Sequence, residues 1–350
     1  MIMEKKVRES NMEMLRIVAM FLVLLVHADF FSLGAPSTEE CVTNPIDASF
    51  RVFGEAISIA CVDIFVCISG WFGIRPSVRG ATNFIFQCLF WLIGLYIVTL
   101  IIGTSSFTVE GIKGCFALTK LNWFIKAYLL LYIISPVLNA FVETASRKLF
   151  LHVLVGFFVF QTIYGWAFAG ATNHIQSGYS TISFVGLYLL SRYVRIYKPT
   201  FSQYVFRYYV LNVFILSICV TVFYVTPPHL GVSTTLLGSM WINYISPYCI
   251  IFAMSMILLF SKIRLQSNFV NWVGASSFAV FLIHTNPNTV NHFKDFILML
   301  YKHYSVLPFW SLTILFLVLL FMVAVLIDQL RIKLWNMVFP LLENNLKSIR

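Results

Sequence analysis

The stretch Asn11–Phe30, NMEMLRIVAMFLVLLVHADF, decides how this chain is read. It is an apolar run that carries one cation, Arg16, and one imidazole, His27. Eleven steps at about 3.6 residues per turn make about three full turns, so both side chains leave nearly the same helix face. At about 1.5 Å per residue they stand about 16 Å apart along the axis, roughly half of a ~30 Å hydrocarbon layer. A charge inside a bilayer costs at least ~2.5 kcal/mol on insertion scales, so it is paired, in water or at work. The pair predicts a polar site running along this helix through the membrane.

Composition agrees. Of 350 residues, 59% are hydrophobic and 11% charged, against about 45–50% and about 25% in soluble domains. That excludes a soluble globule with an ordinary surface. Phe numbers 35 and aromatics reach 17%, which suits lipid-facing surfaces and membrane interfaces. The net charge of +10 is scattered in short basic clusters between apolar runs. A nucleic-acid binder would gather it on one face, so no nucleic-acid partner is expected. The seven cysteines show no CxxC spacing and read as small buried hydrophobes. Cys41 and Cys115 both fall in predicted outside loops, where a bridge between them stays open. The apolar run Leu15–Phe31 is too long for a signal-peptide core and lacks a small-residue cleavage site, so it reads as a retained first span.

Runs of about 20 apolar residues predict ten spans, near 13–32, 50–72, 83–103, 122–142, 149–169, 180–196, 204–226, 240–260, 269–288 and 305–328. The second is weakly hydrophobic and carries Glu55 and Asp63, so it is expected to face the bundle interior. With a cytoplasmic N-terminus, sixteen Lys and Arg fall inside, among them Lys5, Lys6, Arg8, Arg331, Lys347 and Arg350, and four fall outside. The bias fits the positive-inside rule. The expected fold is therefore an all-α polytopic transmembrane bundle of about ten spans, both termini cytoplasmic. It reads as one domain over 1–350, with 329–350 a basic amphipathic tail on the inner leaflet. Outside loops are short, so helix ends must hold most of any outer substrate.

In this topology Arg16 lies near the cytoplasmic face, and His27 and His284 reach a similar depth in the outer third. Either imidazole suits a general base, or is simply hydrogen-bonded within the bundle. Pro287, after His284, frees a backbone carbonyl or marks the end of the span. Asp63 needs a partner, and Arg16 is the nearest cation by depth. Ser69-Gly70 permits close helix approach or a tight exit turn. Trp123 and Lys126 stand at the outer interface, where anchoring and snorkelling are the plain readings. Pro136 predicts a kink. Arg75, Arg79, Arg192 and Arg195 either set topology or hold phosphates of a cytoplasmic cofactor. No P-loop, GxGxxG, GxSxG, HExxH or metal-spaced His/Cys cluster occurs, so no metal is expected.

These residues resemble the integral-membrane type-3 acyltransferases, among them O-acetyltransferases of bacterial surface polysaccharides. The likeness rests on Glu13–Ala19 leading to His27, Asp63–Val66 followed by Ile68–Phe72, Trp123–Ile125 leading to Tyr132–Pro136, and Ser276–Phe278 leading to Phe281–His284. It implies transfer of an acyl group, usually acetyl from cytoplasmic acetyl-CoA, to a sugar hydroxyl at the outer face of a bacterial plasma membrane. The family's Arg and His fall on Arg16 and His27, with His27 as base or acyl carrier. His284 would orient the acceptor. The family's Arg-two-residues-Arg element has no clean match: Arg75–Arg79 is one residue too wide, and Arg192–Arg195 comes later. Acyl-CoA, a carbohydrate acceptor, membrane lipids and polysaccharide-export machinery are the partners this implies. A transporter using Arg16, Asp63, His27 and His284 as substrate or proton-relay groups is the alternative; the lack of an internal repeat weighs against it.

Overall fold

The computed structural model describes residues 9–168, 175–234, 238 and 240–348, with side chains through 340. Lys5, Lys6, Arg8 and Arg350, and the side chain of Lys347, lie outside the described residues. The regular elements are all helical, with no strand among the described residues. The chain divides into two compact units, residues 1–74 with 134–275, and residues 75–133 with 276–350.

The first unit opens with α1 (Ser10–Ala28), α2 (Phe30–Leu33), α3 (Thr38–Thr43), α4 (Pro45–Ser58) and α5 (Cys61–Phe72). The expected span 50–72 is thus two helices broken at Ile59-Ala60, and its residues are mostly buried, as an interior element requires. Pro45 starts α4, where a missing N–H costs nothing. Ser37 and Glu40 close a capping box on α3. The Ser37 N–H, 2.7 Å from Glu40, holds that carboxyl below its ordinary pKa. The same unit contains α9 (Arg147–Phe160), α10 (Thr181–Tyr197), α11 (Phe206–Val225) and α12 (Pro247–Ser261).

Helix α5 packs on α10 through Gly70. A Cβ there would stand 2.4 Å from the Tyr188 carbonyl oxygen, an approach that no side chain permits. Gly70→Ala is therefore expected to cost about 1–3 kcal/mol of stability by overpacking, read as a lowered unfolding midpoint in detergent. Just beyond, Tyr188 Oη accepts the Ile74 N–H at 3.0 Å and donates to Asn139 Oδ1 at 2.6 Å. Asn139 Nδ2 donates in turn to the Ile74 carbonyl at 2.7 Å. This closed set pins the chain as it leaves α5.

The second unit holds α6 (Val78–Ile102), α7 (Val109–Cys115), α14 (Val290–His303) and α15 (Val306–Ser348). Helices α8 (Trp123–Thr144) and α13 (Asn268–His284) run from one unit into the other. Pro136 lies inside α8, which continues through it. Asp328 of α15 accepts from Trp91 Nε1 at 2.8 Å and from both ends of the Arg331 fork at 3.0 and 2.6 Å. Arg331, counted in the sequence as a surface topology charge, is instead a buried ion-pair member.

Among the described residues, seven helical segments are long and apolar enough to cross a membrane. Ten apolar runs predicted ten spans, and each run contains a helix. Three of those helices, α10, α12 and α13, have only 17, 15 and 17 residues, or about 26, 23 and 26 Å. They fall short of a ~30 Å layer. In α12 the reason is visible: Cys249, Phe252, Ala253 and Ile257 are buried, so protein rather than lipid covers it. The expected outside loops near 104–121 and 289–304 carry α7 and α14. Residues 329–348 continue α15 without a break, making a helix about 65 Å long. Cys41, in the first unit, and Cys115, in the second, are each free buried thiols.

Candidate active site

Arg16 and His27 both sit on α1, and both are half-buried. The guanidinium of Arg16 pairs with Glu13 at 2.5 Å, one turn back. Glu13 is lodged against Gly274, where a Cβ would come within 2.6 Å of its Oε2. The expected Arg16–Asp63 pair is thus corrected: a local i,i+3 partner reaches Arg16 first. Asp63 is instead buried on α5, and its Oδ2 has no donor among the described residues. Its side chain lies within electrostatic reach of Cys61, Cys67, Tyr244 and Cys249.

The His27 ring lies tilted against Phe31, with centroids 4.8 Å apart. Helix α1 ends one residue later, and Ser32 Oγ–H caps the His27 carbonyl at 2.5 Å. The segment after His27 is then fastened by α4. Arg51 Nε donates to Asp29 Oδ1 at 3.1 Å, and its other arm donates to the Gly34 carbonyl. Glu55, one turn on from Arg51, accepts the Phe30 N–H. Asp29, Arg51 and Glu55 are all buried. Sequence reasoning missed this constellation. Its one visible signal was the i,i+4 spacing of Arg51 and Glu55 in a weakly hydrophobic run.

A second basic feature lies at the N-terminal end of α1. Arg195 pairs with Glu9 at 3.3 Å and lies over the Trp71 ring at 4.7 Å. Glu9 immediately precedes α1, so Arg16 is about 10 Å further along the same axis. Arg192 lies beside Gly73, where a Cβ would meet its guanidinium at 3.1 Å. Gly73 has φ +74° and ends α5, a backbone form that favours glycine. The buried Nε of Arg192 has no acceptor among the described residues.

The remaining sequence candidates belong to the second unit. His284 is buried, with Nδ1 2.6 Å from the Val280 carbonyl and its ring between Phe281 and Phe293. A protonated Nδ1 in that contact leaves Nε2 as the basic nitrogen. Lys126 is exposed and donates to the Thr119 carbonyl at 3.1 Å, while Trp123 packs edge-on against Phe124. Arg75 is exposed, and Arg79 lies over Phe339 at 4.9 Å. Among the described residues no three His, Cys, Asp or Glu side chains gather as metal ligands.

A family model for an acyltransferase domain, that of the acyltransferase 3 family, matches residues 9–328. The match begins at Glu9, beside the Arg195 pair, and ends at Asp328, so it takes in both units. No curated protein and no solved structure matches the chain.

Proposed function

The chain belongs to the acyltransferase 3 family, and from that premise we propose the reaction, its donor and its sidedness. The protein is a multi-pass membrane acyltransferase. In our reading it moves an acetyl group from cytoplasmic acetyl-CoA to a hydroxyl of an exported or lipid-linked polysaccharide, at the outer face of a bacterial plasma membrane. One observation carries this: α1 bears Arg16 toward its N-terminal end and His27 three turns further, with Arg195 tied to the residue that starts the helix. The basic inside bias puts the N-terminal end at the cytoplasm. Arg192 and Arg195 then meet the donor's phosphates, and Arg16 meets its arm nearer the thioester.

His27 serves the acceptor. As a base it takes the hydroxyl proton while the oxygen attacks the thioester carbon. The C–S bond breaks, the ester C–O bond forms, and the proton passes to the CoA thiolate. As a nucleophile the imidazole first carries the acyl group, and the hydroxyl then displaces it. Both routes release CoASH and consume one thioester. Acid quench within a single turnover separates them, because only the second leaves labelled protein. His284, in the second unit, is given no step.

Purified protein with labelled acetyl-CoA tests the reading. Label moving to a glycan hydroxyl, with matching CoASH release, supports it. Flux of substrate across proteoliposomes without dependence on CoA would overturn it in favour of transport. Within this scheme Arg192→Ala and Arg195→Ala are each expected to raise KM for acetyl-CoA about tenfold or more and to leave kcat largely intact. A hydrogen bond to a charged group is worth about 1.5–3 kcal/mol, and uniform binding shows in KM alone.

A further inference from the structure

Asp29, Arg51 and Glu55 do more than hold the chain after His27. Their exposures are 0%, 2% and 2%. A carboxyl oxygen accepts a hydrogen bond when bare and donates one when it carries the proton. Asp29 Oδ1 takes the Arg51 Nε–H, and one Glu55 oxygen takes the Phe30 N–H. Asp29 Oδ2 and Glu55 Oε2 are equally buried and receive no donor from any described residue. The two carboxyl groups are close enough to repel one another. Leaving one buried polar atom unpaired costs about 1–3 kcal/mol, so two on adjoining side chains call for a partner that hydrogen-bonds to both. The cluster starts two residues after His27, and Glu55 is fastened three residues after it.

We propose that Asp29 Oδ2 and Glu55 Oε2 form a hydroxyl-binding subsite for the acceptor, and that the acceptor it fits is a neutral polyol. The inference rests on the reading of His27 as the group that serves the acceptor. Two hydroxyls flanking the reacting one, each able to donate or accept, supply the two missing partners, which a simple alcohol does not. An acidic sugar or a phosphate brings negative charge to two carboxylates whose one guanidinium already serves Asp29 and the Gly34 carbonyl. Tyr179 and Tyr244 are hydrogen-bonded to each other with rings 5.1 Å apart, and both lie within electrostatic reach of Glu55. Such rings suit the apolar faces of a sugar.

The test is equilibrium binding of three probes to the purified protein: hexyl β-D-glucopyranoside, 1-hexanol and hexyl β-D-glucuronide. Wild type is expected to bind the glucoside at least tenfold more tightly than hexanol or the glucuronide. Asp29→Asn and Glu55→Gln are expected to shrink the glucoside–hexanol gap to threefold or less and to leave hexanol binding unchanged. Both substitutions keep shape and remove charge, and an unchanged unfolding midpoint confirms intact protein. A gap of the same size in the variants, an equal loss for glucoside and hexanol, or tightest binding of the glucuronide would each overturn the subsite. Acetyl-CoA turnover is measured in parallel. Its absence alongside the expected binding pattern removes the transfer reading and leaves the subsite standing.

Discussion

His27→Ala lowers acyl transfer by about 10²–10⁴-fold, the range expected when a general base is removed, and leaves the protein folded in the membrane. The side chain is half-buried, its ring tilted against Phe31, so truncation opens little core. Acetyl-CoA binding, which the proposed scheme assigns to residues at the other end of α1, is expected to stay within about threefold of wild type. The measurement is transfer of labelled acetyl by purified variant and wild type at saturating donor, with donor binding measured separately. Full activity of the variant would remove His27 from the reaction. Loss of donor binding together with activity would mean that the helix, rather than the imidazole, had failed.

Arg51→Met gives the opposite pattern, loss of the protein rather than of one step. Its guanidinium is the cation bonded to Asp29, and it lies within reach of the Glu55 charge. Removing the cation leaves two buried carboxyl groups without the guanidinium between them, at a cost of about 3–5 kcal/mol. The Gly34 carbonyl also loses a donor. Thermal unfolding in detergent is expected to show a large fall in midpoint and low recovery of protein. The triple variant Asp29→Asn, Arg51→Met, Glu55→Gln regains much of that loss, because no buried charge is left unpaired. Equal instability of the single and triple variants would show that Arg51 acts by packing and not by charge. The two predictions separate neighbouring residues: loss of turnover is expected at His27 and loss of the frame around it at Arg51.

How far each was visible in the sequence follows from geometry. Arg16 and His27 were legible because the helical period alone fixes which residues of one helix share a face. The partner of Arg16 was not. Depth along two helices suggested Asp63, but rotation about each axis decides contact, and Glu13 lies one turn away on Arg16's own helix. The apolar runs located all ten expected helical segments, yet hydropathy counts residues and does not see where a helix stops. Helix α12 begins only at Pro247 after a Ser246 cap, so it is shorter than its apolar run, whereas α10, which ends before Lys198 at φ 42°, is as short as the run that predicted it.

By itself the sequence determined a helical membrane protein and the axial spacing of a cation and an imidazole on its first helix. Those features depend on composition and on local periodicity, which act within one segment. Tertiary structure alone decided that Arg51 and Glu55 of α4 grip residues 29–34, that Arg195 meets Glu9, and that Arg331 is buried against Asp328. Buried charges choose partners by distance in space, since an unpaired one is too costly to leave. Those distances are set by how helices far apart in the chain are rotated and packed.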